Sequence, residues 1–409
     1  MSGQIVVVEP ALVDARGHHA FATSRFVALI DNPRTVIAAG AGWSGPPRLG
    51  GYPVFPVFRH NRQSVARLRC YGRGLARLVS IGGDLLMPLE SMIRRRNDAT
   101  QPSDFSTAMA EAGNMRSVIG PDLTRCLDTF GVEREDRVFI PSADAELVLA
   151  TAEQLYARPD PPHFHLRLMY DDIGCHRTDP TWRSALQVLR DAPNAIRQVH
   201  FLTETRAFAR AIEEIWPEPA ALLPHPSDLP ATPVPDLAGA FVVYLAGQGR
   251  TDKGGHLVDA AARVLATKLG LNRLPVDLHI QGGAKASYGR VRIEPLPRQL
   301  TANDYALSWK GTHAALLLHD QTVYAIRGSG VVCDAVASAR PFIFLNGNSL
   351  SEWNLRGNAL GTEPRPDQIA EAIIGLMDDY QAHAGASAIV APTLAHSVQA
   401  GLHDLIIAD

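Results

Sequence analysis

The 409-residue sequence predicts an α/β protein of two domains, each a parallel sheet covered by helices on both faces. Three observations lead there. Short apolar runs alternate with helical periods along the whole chain, a proline-rich break divides it near the middle, and each half opens on a buried strand.

In the first half, IVVVEP, TVIAAG, RVFIPS, FHLRLMY and QVHFLT read as strands, with SALQVLRDA and AFARAIEEIW as helices among them. The second half repeats the rhythm. FVVYLAG, VDLHIQG, RVRIEPL, AALLLHD and PFIFLNG read as strands, and HLVDAAARVLATKL and PDQIAEAIIGLMDDY as helices. The break is LPHPSDLPATPVPD, Leu223 to Asp236, with five prolines. Proline fixes φ and removes a backbone donor, so this stretch reads as extended linker. The expected organisation is an N-terminal domain over 1–222, the linker over 223–236, a C-terminal domain over 237–390 and a final helix over 391–409. Two Rossmann-like domains of this kind are expected to face each other across a cleft, because ligands of open α/β sheets bind at the carboxyl ends of the strands.

Composition bounds the function classes. With 46% hydrophobic and 20% charged residues the chain is ordinary for a soluble globular protein. It contains no apolar run of about 18 residues, so no transmembrane helix is expected. The opening MSGQIVVVEPALVDARG reads as a first strand rather than a signal peptide. Cys70, Cys126, Cys175 and Cys333 lie far apart in no metal-binding spacing, which points to a reduced cytoplasmic compartment. A net charge of −3 argues against a polyanion binder overall. Locally the balance differs: residues 59–96 hold nine arginines against Asp84 and Glu90, with leucines and other apolar residues between them. Such a segment suits an anionic membrane surface, or else it is a solvated arginine face. Nucleic acid is not expected there, because aromatic side chains for stacking are nearly lacking.

Three segments of the second half carry candidate chemistry. The first is LAGQGRTDKGGHLVDAAARV, Leu245 to Val264: a strand, a glycine turn at Gly247, then a helix, with Arg250 and Lys253 in the turn. Amides at such a turn suit a diphosphate. The sequence is not a Walker loop, since Lys253 is followed by glycine and no Ser/Thr follows a Gly-Lys pair. A surface turn with two solvated cations is the plainer alternative. The second is Gly282-Gly283 at the end of VDLHIQ, either a ligand approach or a simple tight turn. The third is RGSGVVCDAVASARPFI, Arg327 to Ile343. Small residues open a helix there, so the amides of Ser329, Gly330 and Val331 can face an anion, with Arg327 beside them. Asp334 follows one turn on, placed to accept from a sugar diol. The alternative is a helix start whose small residues serve close packing.

The first half is less explicit. GHHAFATSRF, Gly17 to Phe26, opens a helix after the first strand and offers His18 and His19 as hydrogen-bond donors; no acid or cysteine cluster accompanies them as a metal site would require. Tyr170-Asp171-Asp172 ends a strand, where the acid pair can act as base or orient an acceptor hydroxyl, or simply cap a helix. His163 and His165 share one strand face, but no third ligand accompanies them in the sequence.

These segments, in this order, resemble the two-domain GT-B nucleotide-sugar glycosyltransferases of the family 4 type. That family has a strand followed by G-R-x-x-x-x-K-G, and later E-x7-E followed by A-x-A-x-G-x-P. Lys253-Gly254 matches the lysine-glycine, and DAVASARP, Asp334 to Pro341, matches the second motif with Asp334 in the place of the second acid. The resemblance covers nearly all of the second half and is thin in the first. The sequence departs from the pattern in three places: Ile326 stands where the first acid falls, Gln248 where the arginine falls with Arg250 two residues on, and Ala339-Arg340 where the later glycine falls.

The resemblance implies a metal-independent, retaining hexosyltransferase without cofactor, using a nucleotide-sugar donor. It implies transfer to a glycan or lipid-linked glycan, as in synthesis of bacterial surface polysaccharide, in the cytoplasm or peripherally on the inner face of the membrane. Gly247, Arg250, Lys253, Gly282, Arg327, Ser329, Gly330, Val331 and Asp334 would bind the donor, and Asp171, Asp172 and His18 would be catalytic. The final helix would cross back to the first domain. Alternatives are a nucleotide-sugar 2-epimerase-like enzyme and a non-catalytic protein of the same fold.

Overall fold

The computed structural model describes residues 3–15, 17–61, 64–65, 116–170, 182–233, 235–247 and 250–406. Asp171, Asp172 and most of the arginine-rich segment lie outside the described residues. The chain forms two compact units. The first comprises Met1–Thr203, Ala209–Ala221 and Leu402–Asp409, the second Glu204–Phe208 and Leu222–Gly401. No helix among the described residues is long and apolar enough to cross a membrane.

The first unit is built on an eight-stranded sheet. Its strands are β1 (Ile5–Glu9), β2 (Thr35–Gly40), β3 (Arg48–Leu49), β4 (Tyr52–Phe58), β5 (Arg137–Ala143), β6 (His163–Leu168), β7 (Val199–Thr203) and β8 (Ala221–Leu222), in the order β3-β4-β2-β1-β5-β6-β7-β8. β1 is buried along all five residues and pairs in parallel with both β2 and β5, Ile5 lying opposite Thr35 and Arg137. An unbroken apolar run fits a strand covered on both faces. The sequence pattern missed β4, whose Pro53 and Pro56 argue against a strand. It forms because, among the described residues, its other neighbour is the two-residue β3, so β4 lies practically at the sheet edge, where a missing donor costs little.

The second unit has seven strands: β9 (Phe241–Leu245), β10 (Val276–Gln281), β11 (Ala286–Tyr288), β12 (Val291–Leu296), β13 (Ala314–Leu317), β14 (Phe342–Leu345) and β15 (Ala359–Thr362). Their order is β11-β12-β10-β9-β13-β14-β15, parallel except for the short β11. The chain winds outward from β9 in both directions, as it does from β1 in the first unit. This places the topological switch point of each sheet beside its first long strand, where α/β sheets bind ligands. Helix Val258–Lys268 packs through Val258, Ala261, Ala262 and Leu265, one face at helical spacing, into the core around Phe241, Val243 and Leu245.

The proline-rich stretch after Leu222 forms no helix or strand among its described residues. Its carbonyls need donors that prolines cannot supply to one another. Arg340, fully buried, provides them: its guanidinium donates to the Thr232 carbonyl and hydroxyl, to Pro233, and to the carbonyls of Trp309, Lys310 and Ser338. Arg340 falls on a variable position of the resembled motif, and the glycine's place is taken by Ala339. Ala339 takes φ +56 just past the end of helix Gly330–Ala337, a left-handed cap that glycine would fill without strain.

Candidate functional site

In the second unit the carboxyl end of β9 leads into the glycine turn. Gly247 has φ +99, and its N–H donates to Gln281 Oε1 (3.0 Å) at the end of β10. Gln281 Nε2 donates in turn to the Arg298 carbonyl (2.8 Å), so one amide side chain fixes the mouth of the turn. Gly282 follows at φ +75, its N–H donating to the Leu296 carbonyl. A short 3-10 turn, Thr251–Lys253, ends at Gly254 with φ +76. A Cβ on Gly254 would stand 2.3 Å from Leu318 Cβ, so glycine is required there by both torsion and space. A Cβ on Gly247 would meet Lys253 Cδ at 2.4 Å: the lysine stem lies across the bare glycine.

Lys253 is therefore aimed back over the end of β9. Burial, followed by repulsion from Arg250, pulls its amine down to about 8; Asp252 and Asp334 oppose the fall and Arg327 adds to it. These mutual effects place Arg250, Lys253, Arg327 and Asp334 in one neighbourhood. Arg250 is paired to Asp252 (2.8 Å), and Arg327 lies over the Tyr324 ring at 5.7 Å.

Helix Gly330–Ala337 opens toward the same groups. Its N-cap, Ser329, makes no side-chain cap; the hydroxyl instead meets His319 Nε2 at 3.0 Å. The first bonds returning to Ser329 come from Val332 and Cys333, so the amides of Gly330 and Val331 lie ahead of the intrahelical ladder. His319 is 1% exposed, and its imidazole is held neutral, well below its ordinary range, first by burial and then by Lys253. A neutral imidazole that locks Ser329 without adding charge is a part that sequence reading missed. Its only signal was a histidine closing the apolar run AALLL.

Asp334 lies one turn into that helix, but it is not an open carboxylate. Its Oδ1 accepts from Ser227 Oγ (2.6 Å) and its Oδ2 from Tyr305 OH (2.7 Å). Burial, then the Asp334 charge, drives the Tyr305 phenol well above its usual range, which keeps the hydroxyl a donor. Ser227 brings the proline-rich segment to the site, and the His225 ring lies 3.3 Å from where a Cβ on Gly330 would be.

In the first unit, of the residues singled out in GHHAFATSRF, only the backbone of His18 is described, in the first turn of helix Gly17–Ile30. Its neighbour His19 is the placed histidine. His19 Nδ1 lies 3.4 Å from Glu9 Oε1 and 3.4 Å from Ser142 Oγ, at the carboxyl ends of β1 and β5. Burial pushes the Glu9 carboxyl up, yet His19, Ser142 and the Ala11 N–H together hold it below its ordinary range. A buried carboxylate that orients an imidazole can handle a proton. His163 and His165 face His200 on the neighbouring strand as stacked rings, 5.8 and 4.9 Å between centroids. Stacking supplies the third histidine, but no group of three His, Cys, Asp or Glu among the described residues is arranged to hold a metal ion.

No known family model matches the sequence, and no curated protein matches it. Solved structures do. Sucrose-phosphate synthase from Thermosynechococcus elongatus superposes with a TM-score of 0.59 at 10% identity, covering 98% of each chain. Anabaena HepE, solved in complex with UDP and glucose, superposes at 0.59 and 14% identity over 98% of this chain and 99% of its own. The apo structure of OtsA gives 0.58 at 12% identity, over 99% and 98%. With two Rossmann-like parallel sheets in succession, and these structures aligned nearly end to end, the chain has the GT-B fold.

Proposed function

We propose that the protein is a glycosyltransferase that takes a sugar from a nucleotide-diphosphate donor held in the second unit. The observation that carries this reading is the gathering of Lys253, Arg250 and Arg327 beside an uncapped helix start at Ser329 to Val331. As the sugar–phosphate bond breaks, negative charge collects on the leaving diphosphate. The fixed cations and the amides of Gly330 and Val331 would offset that charge where it develops. Asp334, one turn into the same helix, is the carboxylate read as meeting the ribose hydroxyls, which are donors to such an acceptor. The acceptor oxygen forms the new bond to the sugar carbon as the diphosphate leaves, and its proton passes to a base.

The finer reading is a hexosyl transfer, metal-independent because protein cations meet the phosphate charge, and retaining as the DAVASARP motif suggests. The acceptor is read as a glycan or lipid-linked glycan of a surface polysaccharide. The arginine-rich segment 59–96 would bring the protein to an anionic membrane from the cytoplasmic side. One observation favours a second reading, a protein that binds a diphosphate without transfer: Ile326 stands where the resembled family has an acid.

Calorimetric titration with UDP, GDP, dTDP and ADP tests the donor site, and release of diphosphate from the matching sugar conjugate in the presence of glycan acceptors tests transfer. The glycosyltransferase reading expects one base to be preferred and acceptor-dependent release. Binding without release supports the second reading, and no binding by any diphosphate defeats both.

A further inference from the structure

The carboxylate missing at position 326 has a spatial counterpart. Glu204 directly follows β7 in sequence, yet it clusters with the second unit, and it is only 4% exposed. It lies against the loop that opens helix Gly330–Ala337: a Cβ on Gly328 would stand 2.5 Å from Glu204 Cβ and 2.7 Å from its Oε2. Gly328 has no left-handed torsion to account for it; the approach of the glutamate does.

The placement is held on both sides. The Thr205 hydroxyl donates to the Ile326 carbonyl and accepts from Phe208 N–H at 3.1 Å. The amides of Arg206 and Ala207 donate to the Glu352 carboxylate at 2.7 Å each. Ser349, in the same short 3-10 turn as Glu352, donates its N–H to the Tyr324 carbonyl (2.9 Å) and its hydroxyl to the Arg327 carbonyl. Segment 204–208 and loop 324–330 are thus laced together around Gly328.

We propose that Glu204 is a specificity-determining residue for the donor's sugar, supplying from β7's end the carboxylate that Ile326 cannot. The inference rests on the donor-site reading above. An ionised carboxylate is an acceptor only; it repels phosphate and suits hydroxyl donors. Gly328 is two residues from the Gly330 amide, about 7 Å of extended chain at most. A diphosphate at that helix start would therefore bring one of its two bonded groups within reach of Glu204; with the ribose read at Asp334, the group left for Glu204 is the hexose.

The test compares each diphosphate with its own sugar conjugate, titrating UDP and UDP-glucose, or GDP and GDP-mannose, into the full-length protein and into Glu204→Gln. Thermal melting checks the fold. The expected result is unchanged affinity for the diphosphate and about a tenfold loss for the conjugate, since charge-assisted bonds to hydroxyls are the stronger kind. Thr205→Val, which removes a strut but keeps the carboxylate, should leave the ratio as in the parent. An unaltered ratio in Glu204→Gln, or an equal loss for diphosphate and conjugate, overturns the proposal. Should Glu204→Gln not fold, Glu204→Asp takes its place: it keeps the charge, withdraws it by one methylene, and carries the same expected ratio. If no diphosphate binds the parent protein, the donor-site reading fails first and this one with it.

Discussion

The two switch points of this molecule are built alike and charged oppositely. Each lies at the carboxyl end of a central buried strand, β1 in one unit and β9 in the other. At β1 the strand ends in a buried acid that holds an imidazole, Glu9 with His19. At β9 it leads into Gly247, over which the Lys253 stem is laid, with two arginines nearby. The same backbone frame thus carries a carboxylate–imidazole pair in one unit and a group of cations beside bare backbone in the other. Frame and chemistry are separable: the sheet fixes where a site forms, and the few residues after the strand fix what it can hold.

The largest expected effect tests whether the second switch point depends on its bare backbone. In Gly254→Val a branched side chain would need a left-handed torsion within 2.3 Å of Leu318. Diphosphate binding should be abolished and the melting temperature lowered; retained binding in calorimetry would show that the turn is not the cradle. Next comes its charge. Lys253→Ala should weaken diphosphate binding by about 1.5–3 kcal/mol, the range for a bond to a charged group. In the parent, affinity should fall as pH rises through about 8, where the free lysine loses its proton, and in Lys253→Ala that fall should flatten. A pH series of titrations reads both.

The first switch point should respond differently. Glu9→Gln removes the charge facing His19 and should cost about 1–2 kcal/mol of stability near neutral pH, without altering diphosphate affinity. The Glu9 carboxyl sits below its ordinary value near 4.5. Its contribution is therefore present above that value and lost as pH falls through the folded one, so parent and variant melting curves should converge in acid. Denaturation from pH 7 down to 3 checks the sign. The smallest effect lies outside both centres: Ala339→Gly relieves a φ of +56 and should stabilise by about 0.5 kcal/mol with binding unchanged. A destabilised glycine variant would mean that the alanine methyl contributes packing that outweighs its torsion.

How much of this could be read beforehand depends on how local the cause is. The glycine turn at Gly247, the cations Arg250 and Lys253 and the small-residue opening at Gly328 to Gly330 belong to single strand–loop–helix segments, and composition exposes them. So did the alternation of strands and helices, apart from β4, whose prolines argued the other way, and the short strands β3, β8, β11 and β15, which are too brief to show a pattern. What escaped was assembled across the chain. Ser227 and Tyr305 reach Asp334 from 107 and 29 residues away, and His319 holds Ser329 across a loop. Glu9 and Glu204 each end or follow an apolar strand and read as mere strand boundaries. Polar residues directly after buried parallel strands were the available signal, because that edge is where such sheets bind. Asp171 and Asp172 lie outside the described residues, and the structure carries no argument about them.

Arg340 sets a boundary for anyone dissecting the protein. A shortened version of the second unit that begins at Phe241, where its sheet begins, would discard Thr232 and Pro233 and leave a guanidinium sealed inside with half its acceptors gone. The excised piece should express as an insoluble or molten product, whereas one starting at Leu222 keeps the proline strap and should melt cooperatively.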